Sequence, residues 1–357
     1  MTDARFSELP ESGPLHPGKK TRSPAGTVKL SEVAALAGVS EATVSRVLNR
    51  KYGVAARTRE QVEDALRQIG YERTFKGEIV LVLVPGLRTP FFGEMCNAIE
   101  GELSPHGLRA VVGPVLPGSV FERDYVEAFV DTGIAAAIFL SSSNTLANGD
   151  DSARALLESR GVPYVCVNGG FAAGESPVVS TDDWRAAELA VEHLYDLGHR
   201  RIGMTAGPVG NIPADRRVEG FLNAMDARNI DGAEDFVLRQ HFTVDGGRHA
   251  ADALLDLGIT AIVASSDEMA LGAFRAVNRR GLRVPEDVSV IGYNDSYILE
   301  FTDPPLTSVS QPVDHLAQAV ARTVVTMVQN RAVRTEEFLM EPSLHVRRST
   351  APVLRED

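Results

Sequence analysis

The spacing of apolar positions changes partway along the chain, and that change divides it. Between residues 29 and 71 they recur at helical spacing: Val33, Ala34, Leu36 and Ala37, then Val44, Val47 and Leu48, then Val62, Ala65, Leu66 and Ile69. Gly38 ends the first set where two helices would turn tightly, and Gly70 closes the third. Ser40 is placed to cap the second helix, with Glu41 in its first turn, where the helix dipole favours a carboxylate. Opposite that helix's apolar stripe stand Ala42, Thr43, Arg46, Asn49 and Arg50, hydrogen-bond donors around one small apolar residue. Such a face suits the groove of a duplex, but any surface helix shows the same contrast, so periodicity alone leaves both readings open.

From Ile79 the pattern becomes short apolar runs alternating with amphipathic stretches. Strands are predicted at Ile79–Val84, Leu108–Val112, Ala135–Leu140, Pro163–Val167, Arg201–Thr205, Phe236–Leu238, Thr260–Ala264 and Val288–Ile291. Helices are predicted between them, among others at Phe92–Leu103, Ala153–Ser159, Ala186–Leu197, Arg216–Arg228, Gly246–Leu257 and Met269–Arg280. Near-continuous apolar strands separated by helices imply parallel sheets covered on both faces. Two such series, broken around Leu197-Gly198-His199, imply an α/β protein with two similar doubly wound lobes behind a three-helix headpiece.

Composition adds bounds. A length of 357 residues suits two or three domains, and 44% hydrophobic residues supply a large core. No apolar run is long enough to span a bilayer, and the first residues lack the apolar segment of a secretory signal. Residues 1–28, rich in Pro, Gly, Ser and charge, are expected to form a disordered arm in which Lys19, Lys20 and Arg22 are solvated. Cys96 and Cys166 form no CxxC pair, consistent with reduced buried thiols in the cytoplasm.

The net charge of -12 argues against nucleic acid only when taken whole. Residues 29–76 hold nine Lys/Arg against six Asp/Glu, whereas the part beyond residue 76 holds 23 against 39. Positive charge therefore sits on the helical module, and an acidic body stays off DNA. A balance of +3 would bind weakly at physiological salt, so two headpieces on one site are implied. Catalytic signatures are missing: there is no GxGxxG after a strand, no phosphate-cradling GxxxxGK[ST], no HExxH and no GxSxG elbow. The expectation is a non-enzyme with no metal and no cofactor.

The order of a small apolar helix, the Ala37-Gly38-Val39-Ser40 turn and the Thr43-Val44-Ser45-Arg46-Val47-Leu48-Asn49 helix closely resembles the DNA-binding headpiece of the lactose-repressor (LacI/GalR) family of bacterial transcription regulators. The remainder resembles that family's sensor domain, itself similar to periplasmic sugar-binding proteins. The matching landmarks include Thr89-Pro90-Phe91-Phe92, Arg217-Val218-Glu219-Gly220-Phe221, Ser265-Ser266-Asp267-Glu268-Met269, Gly292-Tyr293-Asn294-Asp295 and Pro304-Pro305-Leu306-Thr307. The resemblance covers residues 29–357 except the hinge. It implies a cytoplasmic homodimer, a repressor of transcription, whose grip on operator DNA is set by a sugar or nucleoside-like effector held between the lobes.

On this reading the domains are a headpiece at 29–71, a linker at 72–78 and an effector-binding domain at 79–357. The N-lobe would take about 79–197 and 313–340, the C-lobe about 198–312 and 341–357, with crossings near 198, 312 and 340. Glu41 and Ala42 would meet base edges, Ala42 touching a thymine methyl, and Arg46 would pair with guanine. Thr43, Ser45 and Asn49 would hold phosphates, with Ser31 and Ser40 as further contacts. For the effector the resemblance points to Phe91, Phe92 and Phe242 as apolar plates, and to Arg217 as a planar fork for two ligand oxygens. It also points to Asn294, Asp182, Asp267 and Gln311, the last at a crossover where bridging the hinge is an alternative role.

Departures from the family are specific. Glu72-Arg73-Thr74-Phe75-Lys76-Gly77-Glu78 stands where members carry a hinge helix with a leucine wedge, so a shorter, stiffer linkage is expected. Asn294 stands where a carboxylate is usual, which removes a charge-assisted acceptor. With few residues following Thr350, no counterpart to the family's C-terminal tetramer helix is expected. A two-lobed binding protein without regulatory DNA binding is the competing reading; the headpiece opposes it.

Overall fold

The computed structural model of the chain describes residues 30–48, 54–69, 78–115 and 120–353. The expected arm 1–28, Asn49, Arg50 and linker residues 72–77 lie outside them. The chain divides after Thr74 into two compact units.

Among its described residues the first unit holds three helices, α1 (Leu30–Ala37), α2 (Glu41–Leu48) and α3 (Ala56–Gln68). Gly38 turns the chain at φ +66°, and the Val39 N–H reaches back to the Ala34 carbonyl at 3.0 Å, a Schellman closure of α1. The Ser40 hydroxyl then accepts the Thr43 N–H at 3.2 Å and starts α2. Val33, Ala34, Val44, Val47, Val62, Ala65 and Leu66 form the common core. Leu36, counted in the apolar stripe, is 49% exposed because it lies to one side of the face set by Val33, Ala34 and Ala37.

The second unit runs β1 (Ile79–Val84), α4 (Pro90–Leu103), β2 (Arg109–Pro114), α5 (Glu122–Val130), β3 (Ala136–Leu140), α6 (Ser152–Ser159), β4 (Tyr164–Val167) and β5 (Val178–Thr181). It continues with α7 (Asp183–Asp196), β6 (Ile202–Ala206), α8 (Ile212–Asp226), β7 (Val237–Arg239), α9 (Val244–Asp256), β8 (Ala261–Ala264), α10 (Asp267–Arg279) and β9 (Ser289–Asn294). Last come β10 (Thr307–Ser310), α11 (Val313–Val328), β11 (Glu337–Met340) and β12 (Ser343–His345).

The strands make two six-stranded sheets, ordered β11-β5-β4-β3-β1-β2 and β12-β10-β9-β8-β6-β7. Pairing is parallel except between β10 and β12. The two orders match strand for strand, so the lobes repeat one doubly wound plan. Sequence period explains how each sheet is covered. In β1, Val80, Val82 and Val84 enter the core beneath α4 and α11, while Leu81 and Leu83 enter the core beneath α5 and α6. The second sheet is likewise held between α7 and α8 on one face and α9 and α10 on the other. Strands β5, β10, β11 and β12 go beyond those predicted; each is short and carries polar residues, as in Thr307, Ser308 and Ser310 of β10.

The lobe boundaries need one correction. Ala186, Ala187, Ala190, Val191 and Leu194 of α7 pack into the second sheet's core. The first passage between lobes therefore falls at Asp182, not near residue 198. The chain returns at Gln311-Pro312, between β10 and α11, and crosses a last time at Glu341-Pro342, between β11 and β12.

Candidate DNA-reading face and effector cleft

On α2 the side chains of Glu41, Ala42 and Arg46 are exposed, and Ala42 and Arg46 lie one turn apart on the same face. Thr43 and Ser45 are half-buried beside them. Ser40 and Thr43 place their hydroxyls 2.9 Å apart at the helix start, so both oxygens stand where the positive end of the helix dipole favours an anion. Ser31 is exposed in the first turn of α1. Asn49 lies outside the described residues.

A cleft of about 490 Å³ opens at the carboxyl ends of strands from both sheets. Phe91 and Phe92, in the first turn of α4, stand edge to face with centroids 5.4 Å apart; Phe91 is 3% exposed and belongs to the first lobe's core, while Phe92 shares the cleft lining with Phe242, which follows β7. Polar groups enter from every neighbouring strand end: Ser141, Ser142 and Ser143 after β3, Asn168 after β4, Asn211 after β6, Ser265 and Ser266 after β8, and Asn294 closing β9. Ser141, Asn168 and Asn294 hold φ angles of +53°, +63° and +112°. Backbone of that kind costs on the order of 1 kcal/mol or more per residue and collects at ligand sites, where it aims a side chain. Asn168 and Ser141 were not anticipated; a polar residue directly after an apolar strand is the signal that marks them.

Gln311 joins these groups across the two lobes. Its Oε1 accepts from Thr181 Oγ1 at 2.7 Å and from Asn168 Nδ2 at 3.4 Å. Its Nε2 donates to Asn294 Oδ1 at 2.8 Å. Asn168 in turn donates to Ser141 Oγ at 3.0 Å and accepts the Thr181 N–H at 3.0 Å. The sequence placed Gln311 at a crossover; the structure makes its amide the bridge between lobes and also part of the cleft lining.

Arg217 lines the cleft from α8 but is only 6% exposed. Its Nη1 donates to Asp183 Oδ1, which also accepts the Tyr293 hydroxyl at 2.8 Å. The guanidinium lies 4.1 Å from the Tyr293 ring centroid. Burial, then the Asp183 carboxylate, pushes the Tyr293 hydroxyl well above its usual range, so it stays a donor. Burial also pushes the Asp183 carboxyl upward against the pull of Arg217. Arg217 Nε is buried with no hydrogen-bond partner. The expected fork is thus present, but half of it is already engaged by the protein.

Two expected residues are not among those lining the cleft. Asp182 spends its carboxylate capping α7, accepting the Arg185 N–H at 3.0 Å. Asp267 is buried below, accepting from the Ser296 N–H at 2.9 Å and from Ser308 Oγ at 2.8 Å. Its neighbour Ser266 is the residue that reaches the lining. The lining carboxylates are Glu122, Asp150 and Glu268, none of them foreseen. Both cysteines are buried and free, and burial pushes each thiol up to about 11, which leaves them inert. Among the described residues no group of His, Cys, Asp and Glu is placed to hold a metal ion, and no helix is long and apolar enough to cross a membrane.

Comparison with known proteins matches this architecture part by part. Residues 29–74 match the model of bacterial regulatory proteins of the lacI family, and residues 191–350 match that of a periplasmic binding protein-like domain. The HTH-type transcriptional regulator MalR of Streptomyces coelicolor is 41% identical over 334 residues, 91% of this chain and 97% of that protein. The HTH-type transcriptional repressor CytR of Escherichia coli K12 is 33% identical over 342 residues, covering 93% and 98%. Among solved structures, a transcriptional regulator CelR–cellobiose complex superposes with a TM-score of 0.70 at 31% identity, covering 90% of this chain and 100% of that one. The lac repressor dimer bound to operator and the anti-inducer ONPF superposes with a TM-score of 0.71 at 27% identity, covering 91% and 100%. The chain belongs to the lactose-repressor family: it is a helix-turn-helix, DNA-binding transcription regulator with a periplasmic-binding-protein-like effector domain, and not an enzyme.

Proposed function

We propose that the chain works as a homodimeric repressor in the bacterial cytoplasm, and that a carbohydrate bound between its lobes sets its affinity for operator DNA. The cleft carries the reading of the ligand. Aromatic plates at Phe92 and Phe242, with the buried Phe91 backing Phe92, face a ring of hydroxyls, amides and carboxylates, an arrangement that stacks on the apolar face of a sugar while hydrogen-bonding its rim. Its volume suits a ligand of disaccharide size.

Because Gln311 holds Thr181 in one lobe and Asn294 in the other, a ligand hydroxyl inserted among these groups changes the balance between open and closed lobes. The shift is limited by the ligand's preference for one state. On the DNA side, Ala42 and Arg46 read bases in the major groove, Glu41 flanks them, and Ser31, Ser40, Thr43, Ser45 and Asn49 position the phosphates. Two headpieces of modest charge require a roughly palindromic site.

Calorimetric titration with neutral sugars, repeated on Phe242→Ala, tests the cleft. Binding that weakens by about tenfold or more in the variant supports it, a loss of about 1.4 kcal/mol, within reach of one buried aromatic contact. Undiminished binding moves the ligand elsewhere.

A further inference from the structure

Resting on that reading of the cleft, we infer that the effector site selects an uncharged polyhydroxyl ligand and rejects its phosphorylated or otherwise anionic form. Anion sites need cations with free valence or helix N-termini with free N–H groups. Arg217 is the one cation among the described lining residues; Asp183 takes its Nη1 and cancels its charge inside the protein, and its Nε, though unpartnered, is buried away from the open cleft. Glu122, Asp150 and Glu268 add three carboxylates to the same wall.

Three of the four helix starts that open on the cleft are also taken. At α8, the Asn211 side chain accepts the Ala214 N–H at 3.1 Å, and Asp215 accepts the Gly210 N–H at 2.9 Å. At α10, Ser266 Oγ accepts the Met269 N–H at 3.2 Å, and Asp267 and Glu268 occupy the first turn. At α5, Asp124 accepts the Phe121 N–H at 2.9 Å, and Glu122 accepts the Ser143 N–H at 2.8 Å. At these three starts the positive helix end therefore faces the cleft with one of the chain's own carboxylates or caps upon it; the start of α4 carries neither, but there Pro90 supplies no N–H and Phe91 and Phe92 line the wall with apolar rings. A phosphate entering there would meet like charge in a partly desolvated space, which disfavours it. Sugar hydroxyls, by contrast, donate to carboxylates in charge-assisted hydrogen bonds.

The test is calorimetric titration of the full chain with cellobiose and ribose, each beside its phosphate ester, at two salt concentrations and repeated on Glu268→Gln. The neutral sugar should bind at least about 100-fold more tightly than its ester, a gap of about 2.8 kcal/mol. Its affinity should be insensitive to salt, and Glu268→Gln should narrow the gap. An ester that binds as well as the neutral sugar overturns the charge selection while leaving a carbohydrate site intact. If no sugar in either form binds, the carbohydrate reading falls and this inference with it.

Discussion

Gln311 Nε2 lies 2.8 Å from Asn294 Oδ1, and the opposite end of the same amide accepts the Thr181 hydroxyl. One side chain at a lobe crossing thus satisfies polar groups on both sheets. Gln311→Ala leaves the buried Thr181 hydroxyl without its acceptor, at a cost of about 1–3 kcal/mol. Urea unfolding should show that loss, and operator binding should respond less to effector. A variant as stable and as responsive as its parent would show that the bridge contributes nothing.

The buried ion pair predicts a larger effect. Arg217→Ala strands the Asp183 carboxylate in the second lobe's interior and should destabilise by about 3–5 kcal/mol. The double change Arg217→Met with Asp183→Asn removes both charges and keeps an acceptor for Tyr293, so most stability should return. If the double variant is no better than the single one, the loss comes from packing instead of charge.

Asp267 gives a pH dependence whose sign can be worked out. Burial raises its carboxyl to about 7, against hydrogen bonds from Ser296 and Ser308 that favour the charged form. The unfolded chain releases this proton near pH 4. Between about pH 4 and 7 the folded state holds the extra proton, so its advantage is full at low pH and is lost as pH rises to 7. Relative to Asp267→Asn, the parent should lose about 1.4 kcal/mol of unfolding free energy per pH unit across that window, then level off. Parallel stability curves for the two proteins would exclude the raised carboxyl.

Gly207 lets Phe242 reach the cleft wall. A Cβ at that position would stand 2.2 Å from Phe242 Cζ and 2.9 Å from the Ala214 methyl. Gly207→Ala must therefore displace the ring, and effector affinity should fall with it while DNA binding without effector is kept. Unchanged effector affinity would remove Phe242 from the site.

Much of this was readable in advance, and the reasons are local. Ile79–Val84 is apolar at every position because both faces of β1 are covered, so the strand was found to the residue. The Gly38 turn and Ser40 cap were legible because each has one dominant backbone role. Strands β11 and β12 were not, since residues such as Glu337 and Ser343 belong to short edge segments that bury little. Of the residues expected to meet the effector, Arg217 and Gln311 line the cleft, whereas Asp267 does not and its neighbour Ser266 does: periodicity fixes a loop, not which of two neighbours points inward. The Asp183–Tyr293 partnership joins residues far apart in the chain, and no spacing rule reports it.

The headpiece carries the central claim, and one measurement addresses it most directly: the affinity of the parent and of Arg46→Ala for an operator selected from random duplexes, and for scrambled duplex of equal length. The parent should prefer the operator by about 1,000-fold or more. Arg46→Ala should lose about 1–3 kcal/mol on the operator and little on the scrambled duplex. Equal losses on both, or a parent with no preference for any duplex, would contradict base reading by α2.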